Sequence, residues 1–382
     1  MTGSSLGKNA RFASRLSRIA DYTQLSPAER SAQNRLIRWQ RQSMAARIMH
    51  DQRVAKCYRV RVKPFVEVLH SQKVHKAHYG GLMTCGSVWM CPICAAKITE
   101  RRRIELESVN AFELSCFMVT LTLQHTQDDS LKTVQSHLAE AWRKMKSGRW
   151  YPKFQKEFLI VGSVTGTEIT YGLEFGWHPH KHVLVWSMLP DHQIDSNLIR
   201  DFISTRFEYI LGKMGRYVSP IHGVDVRKGD NLIQEYVAKF GRDPKESAWS
   251  LAAEITKAPV KIGLKFGDHY TPFQLLDLRL AGDMHAGKLF REYAETMKGA
   301  KQLVWSRYTR ELLGLDQEMS DEELAAMQEQ DVIILALLKP EHWRVILRKE
   351  KRAALLEVAN TGNVEYLRVF LASLGVELTS EV

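Results

Sequence analysis

From Phe117 to Leu123 the chain alternates apolar and polar residues (Phe-Met-Val-Thr-Leu-Thr-Leu), with Val and Thr stiffening an extended backbone, and this pattern predicts a core strand. A second β-branched run covers Phe158 to Tyr171, and a third follows His178. The connection between them, Gly172 to Trp177, carries two glycines and predicts an antiparallel hairpin. Leu131, Val134, Leu138, Trp142 and Met145 recur at helical spacing between the first strand and the hairpin. A second helix is expected from Asn197 to about Leu211, behind Asp195-Ser196. A short strand near Gly223 to Val226 and a helical pattern over Ile233 to Phe240 complete the run. The order β-α-β-β-α-β-α implies an α+β protein: an antiparallel sheet with helices on one face, ferredoxin-like or RRM-like, and the other face open.

The hairpin carries the first candidate chemistry. In Gly176-Trp-His-Pro-His-Lys-His-Val-Leu-Val-Trp186, His178, His180 and His182 fall on one face of a strand. Two imidazoles side by side on a stiff strand begin a divalent metal site that needs one more ligand. Glu168 on the preceding strand supplies it if the hairpin register places it opposite the histidines. Glu174 is the competing carboxylate, less rigidly aimed because it sits in the turn. Downstream, Tyr236 and Phe240 share a helical face, as do Glu235 and Lys239. A bare His-x-His on an exposed hairpin, or Tyr236 as a core aromatic, is the plainer alternative for each feature alone.

Outside this core the sequence changes character three times. Residues 1–54 form a basic arm and helix: residues 1–50 hold nine Lys and Arg against Asp21 and Glu29, and Ser26-Pro-Ala-Glu29 is a helix start with a capping box. The helix is expected to run to about Arg53. Residues 55–115 hold Cys57, Cys85, Cys91 and Cys94, the last two as a Cys-Pro-Ile-Cys knuckle, with His70, His75 and His78 between. Four thiolates are a structural zinc set with no position left open, though one histidine could replace Cys57. Cys116 opens an apolar strand and reads as core. Residues 116–245 are the core described above, and 246–382 are expected to be helical, with Trp305–Leu313 as one helix. Near the end, a basic helix from Trp343 to Val358 is a candidate DNA-binding face. Net charge is +11, which suits a polyanionic partner. No eighteen-residue apolar run and no apolar leader occur, so no membrane partner and a cytoplasmic setting are expected.

Three segments in order, Phe117-Met-Val-Thr-Leu-Thr-Leu123, His178-Pro-His-Lys-His182 and Tyr236-Val-Ala-Lys239, resemble the motifs of HUH endonucleases, the initiators of rolling-circle replication. The chain is most similar to the plasmid Rep group that also carries Cys85-Gly-Ser-Val-Trp-Met-Cys-Pro-Ile-Cys94. The resemblance runs from about Cys57 to about Gly314, including Trp305-Ser306. It departs at Lys181, where the family places a hydrophobe, and at Phe240, where some relatives have a second tyrosine. The resemblance implies a nuclease in which His180, His182 and Glu168 hold catalytic Mn2+ or Mg2+. Tyr236 would be the nucleophile that forms a 5′-phosphotyrosyl linkage, with Lys239 beside it. It implies structural Zn2+ on the four cysteines. The implied partners are single-stranded and origin DNA, a host helicase and polymerase, and a second copy in a homodimer. A non-catalytic zinc-containing DNA-binding regulator, or a relaxase or transposase of the same class, is the alternative.

Overall fold

The computed structural model describes residues 26–109, 114–219, 222–229, 269–328 and 331–378. Tyr236, Lys239, Phe240, Glu235 and Glu254 lie outside the described residues, as do the arm before Ser26 and the origin of the expected Tyr236 helix.

Helix α1 (Pro27–Ile48) starts as the sequence promises. The Ser26 hydroxyl accepts from the Glu29 amide, and the Glu29 carboxylate accepts from the Ser26 amide at 2.8 Å. It stops at Ile48, short of Arg53, where a 3-10 turn spans Arg53–Ala55. The chain continues through β1 (Val66–Ser71), β2 (Lys76–Gly80), α2 (Pro92–Glu107), β3 (Ser115–Leu121), α3 (Leu131–Met145) and α4 (Trp150–Glu157). Next come the hairpin strands β4 (Ile160–Gly172) and β5 (Gly176–Ser187), then α5 (Ser196–Lys213), β6 (Val224–Lys228) and β7 (His269–Tyr270). After α6 (Pro272–Leu280), α7 (Met284–Thr296), β8 (Leu303–Trp305) and α8 (Thr309–Leu312), the chain ends in α9 (Asp321–Ala326), β9 (Val332–Leu338), α10 (Pro340–Arg348), α11 (Arg352–Ala359) and α12 (Val364–Ser373). The protein is mixed α+β with antiparallel sheets. No helix among the described residues is long and apolar enough to cross a membrane.

Two compact units emerge: one from the chain up to Ile98 with Leu276–Gly287 and everything from Met319, the other from Thr99–Leu275 with Lys288–Glu318. In the first unit the sheet order is β2-β1-β9, so a strand from the C-terminal region pairs with the segment that carries the cysteines. Side chains reinforce this closure. Tyr79 Oη donates to Arg352 O at 2.8 Å, and Trp343 Nε1 donates to Arg59 O at 2.9 Å. The expected long basic helix is two helices, broken where Glu350 takes a positive φ of 52°. Arg352 leaves the expected exposed basic face: it is buried, donating to Tyr58 O (3.2 Å) and Ser43 Oγ (2.8 Å). A guanidinium has five donors, so it enters a core only where carbonyl and hydroxyl oxygens meet it.

The second unit holds a sheet of order β6-β3-β5-β4-β7, with β8 also on β4. Phe117, Val119 and Leu121 face the same way as Val183 and Val185. They pack against Val134, Leu138 and Met145 of α3 and Ile199, Ile203 and Phe207 of α5. The helix-covered face is therefore as expected from the apolar periodicity. The opposite face is open only in part. Its apolar end (Met118, Val164, Leu184, Trp186) packs with Leu106 and Leu303, and Trp305 stacks on Trp186 with centroids 6.1 Å apart. Trp305 thus belongs to a strand, and its helix shrinks to Thr309–Leu312. Apolar positions on both sides of a strand require cover on both sides, which leaves only the polar end free to carry a site.

Lys181, between the two hairpin histidines, points to the helix-covered face. It is 9% exposed, its Nζ donating to Thr167 Oγ1 at 2.8 Å, and burial pushes its pKa down to about 8. Lys181→Met keeps the length of the side chain and removes a buried charge. It is expected to stabilise the fold by about 1 kcal/mol, or roughly 2–4 °C in Tm, read by thermal denaturation. Near the mouth of the sheet, Asp129 receives two bonds from Arg216, at 2.7 and 3.2 Å, which hold its carboxyl at about 2 against an ordinary 3.8. Because the folded pKa is depressed, the stabilisation is present above about pH 4 and fades as pH falls toward 2. Asp129→Asn should cost about 1 kcal/mol at pH 7, and urea denaturation should show the gap closing as pH falls from about 4 to about 2.

Candidate functional site

The hairpin that bears the histidines turns at Gly176, whose φ is +75°. A Cβ there would sit 3.2 Å from the Gln127 backbone, so the turn needs glycine twice over. From this turn the register runs without a break past the histidines: Thr170 faces His178, Glu168 faces His180 and Gly166 faces His182. Directly opposed residues share a face, so one carboxylate and three imidazoles stand together. Gly166 places no side chain beside His182, and Glu168 reaches diagonally across: its Oε2 lies 3.0 Å from His182 Nε2, with both groups buried. Glu174 remains exposed in the turn.

The rings form a row. His178 and His180 stack with centroids 4.2 Å apart and planes 13° from parallel, and His180 and His182 follow at 6.0 Å and 15°. Thr120 of β3 and Thr122 just beyond its end supply a hydroxyl at each end: Thr120 Oγ1 is 3.1 Å from His182 Nδ1, and Thr122 Oγ1 is 3.2 Å from His178 Nε2. Two further histidines join the row. His125 meets His178 edge-on at 4.6 Å while its Nδ1 donates to Phe175 O (2.8 Å), and His269 of β7 is 6.3 Å from His178. Burial, and then these two neighbours, push the His178 pKa down to about 4, so at neutral pH His178 is an uncharged ring. No local pattern in the sequence points to His269: a two-residue strand pairing Gly172 with His269 brings it in from far downstream. His125 ends the first strand pattern and is legible only once the turn closes over it.

The donor set of His180, His182 and Glu168, mixed nitrogen and oxygen, suits a hard or borderline divalent ion. It is not drawn together as tightly as the sulfur site. Among the described residues, Cys57, Cys85, Cys91 and Cys94 are the one group whose ligand atoms all lie within 4.8 Å of one another. All four are buried free thiols, with Sγ–Sγ separations of 3.5 Å (Cys57–Cys94) and 3.7 Å (Cys85–Cys94 and Cys91–Cys57). Pro92 starts α2 inside the knuckle, which folds Cys94 back toward Cys91. The Cys85 amide donates to Cys57 Sγ at 3.3 Å, and Gln42 Nε2 donates to Cys57 O at 3.0 Å. No histidine displaces Cys57: His70 is turned to Ala359 O, 3.1 Å away. The neighbouring sulfurs raise the Cys57 thiol, and burial raises Cys91, while S–H donation from the other three lowers Cys94. Without a cation only part of this set can ionise. A tetrahedral dication such as zinc takes all four, and its binding energy then becomes folding energy. Cys116 packs apart, against the apolar end of the sheet.

No family model matches the chain, and no solved structure does. It is similar to "Protein rep" of Streptomyces lividans, 26% identical over 306 aligned residues, with 62% of this chain and 65% of that protein covered. It is also similar to "Neomycin resistance protein" of Streptomyces cyanogenus, 28% identical over 133 residues, covering 28% of this chain and 30% of that one. The chain therefore spans just under two thirds of the first relative and less than a third of the second.

The sulfur site yields a direct test. Cys91→Ala leaves three thiols for a four-coordinate ion, so bound zinc should fall from one per chain toward zero by elemental analysis. The first unit should lose several kcal/mol, roughly the loss expected for a structural metal site. Unchanged thermal stability of the wild type after exhaustive chelation would contradict the assignment.

Proposed function

We propose that the chain is a plasmid-type replication initiator of the HUH endonuclease class, which nicks and rejoins single-stranded origin DNA. The observation that carries this reading is the register that sets Glu168 against His180 and one diagonal step from His182, beside Thr120 of β3. Similarity to "Protein rep" supports the same reading. His180, His182 and Glu168 would hold Mn2+ or Mg2+, and such an ion, when bound, polarises a non-bridging oxygen of the scissile phosphate. The Tyr236 hydroxyl attacks phosphorus, the P–O3′ bond breaks, and the strand leaves a free 3′-hydroxyl. The DNA 5′-phosphate stays esterified to Tyr236. One phosphate ester replaces another, so rejoining is the same exchange in reverse. Lys239, three residues after Tyr236 in sequence, would offset the charge of the phenolate.

Phe240 has no hydroxyl, so the Tyr236 segment offers one covalent attachment. Completing the reaction then uses either water activated by Glu235 or Glu254, or Tyr236 of a second copy in a homodimer. The zinc site is structural in this reading. Origin DNA and the host helicase and polymerase are the partners, and the net charge of +11 suits the nucleic acid.

The test uses single-stranded oligonucleotides tiling the replicon that carries this gene, incubated with the full chain and Mn2+. A covalent adduct should form and map by peptide sequencing to Tyr236. Tyr236→Phe should keep DNA binding and form none, and His180→Ala should cut cleavage by at least about 100-fold with the fold intact. An adduct on a different residue overturns the role of Tyr236, and full cleavage by His180→Ala/His182→Ala in metal-free buffer overturns the metal site. DNA binding with no cleavage under any condition would point to a regulator.

A further inference from the structure

Resting on the reading of Glu168, His180 and His182 as a divalent site, we infer that Thr120 is the positioning residue that lets His182 exchange tautomers when the metal arrives. Strand β3 places Thr120 opposite His182, with Oγ1 3.1 Å from Nδ1, while Nε2 on the other side of the ring lies 3.0 Å from Glu168 Oε2. An ionised carboxylate only accepts. With the ring neutral, Nε2 carries the proton in the metal-free protein and donates to Glu168, and Nδ1, left with its lone pair, accepts from the Thr120 hydroxyl.

Metal ligation reverses both bonds. An ion taking the Nε2 lone pair would send that proton to solvent, and another would arrive at Nδ1. The ring stays neutral, and Nδ1–H now donates to Thr120 Oγ1. A hydroxyl donates in the first state and accepts in the second without moving. A carboxylate or carbonyl at this position would serve only the loaded state, and a hydrocarbon would serve neither. Water is a poor substitute, because His182 is only 4% exposed.

Thr122 gives the contrast. Its Oγ1, 3.2 Å from His178 Nε2, engages the outermost ring of the row, and His178 stacks on His180 at 4.2 Å. The two threonines of the first strand thus divide three histidines of like sequence into ligands and a support for them.

The experiment compares wild type, Thr120→Val and Thr120→Ser as full chains with their zinc retained. Mn2+ binding is followed by electron paramagnetic resonance, and the metal-free His182 ring by 15N NMR. Thr120→Val should weaken Mn2+ binding by about 10-fold or more, and Thr120→Ser should bind nearly as well as wild type. The metal-free wild type should show the Nε2–H tautomer at His182. Equal affinity in Thr120→Val and wild type overturns the inference, as does an Nδ1–H tautomer in the metal-free ring. If Thr120→Val fails to fold, failure of Thr120→Ser to bind also overturns it. Wild type that binds no Mn2+, or binds it as well with His180→Ala, removes the underlying metal reading instead.

Discussion

A strand sends successive side chains to opposite faces, so a slip of one residue in the β4–β5 pairing would turn every histidine to the wrong side. The register that places Glu168 against His180 is therefore the constraint on which the candidate site depends. It is held from both ends. At the turn, Gly176 and the bond from His125 to Phe175 O fix where the strands reverse. Farther along, Val183 and Val185 must reach the core beneath α3 and α5, which leaves the alternate positions to the histidines. At the rim, Glu292 ties the hairpin to neighbouring chain, accepting from Trp177 Nε1 at 3.0 Å and from the Leu131 amide at 2.8 Å.

The same alternation explains Lys181. With His180 and His182 on one face, the residue between them must enter the helix side, where a hydrocarbon would suit. The ammonium is tolerated because Thr167, its direct partner in register, offers an oxygen at 2.8 Å. The three-residue window His180-Lys181-His182 thus places metal-type donors on one side of the sheet and a buried cation on the other.

In the first unit a knot of four buried sulfurs sits within a fold whose buried apolar residues include Trp39, Tyr79, Trp343 and Leu356. Its walls include charge: Arg352, with its pKa lowered to about 10 chiefly by burial, bonds to the carbonyl of Tyr58, next in sequence to Cys57. A four-thiolate zinc centre is negative overall, so a buried guanidinium nearby offsets charge that an apolar wall would leave uncompensated. The C-terminal segment that supplies Arg352 also supplies β9 and the carbonyl bonded by Tyr79. The cysteine segment and the chain's last helices consequently share one packing problem despite their separation in sequence.

Local patterns determined a good deal by themselves. The capping box at Ser26, the amphipathic α3, the alternating β3, the hairpin and its one-faced histidines, and the Cys91–Cys94 knuckle all follow from short-range spacing, because period, cap and turn chemistry are properties of neighbours in the chain. Tertiary structure decided what spacing cannot encode. Which of Glu168 and Glu174 meets the histidines depends on register. His269, β9 and Arg352 reach their places through pairings between residues remote in sequence, and a basic helix is no sign of exposure when buried oxygens await one of its arginines. Trp305 reads as helix by propensity but lies in a strand because Trp186 and the β4 edge offer it a stacking partner and a ladder. Propensity is a weak local preference, and burial against a distant surface outweighs it.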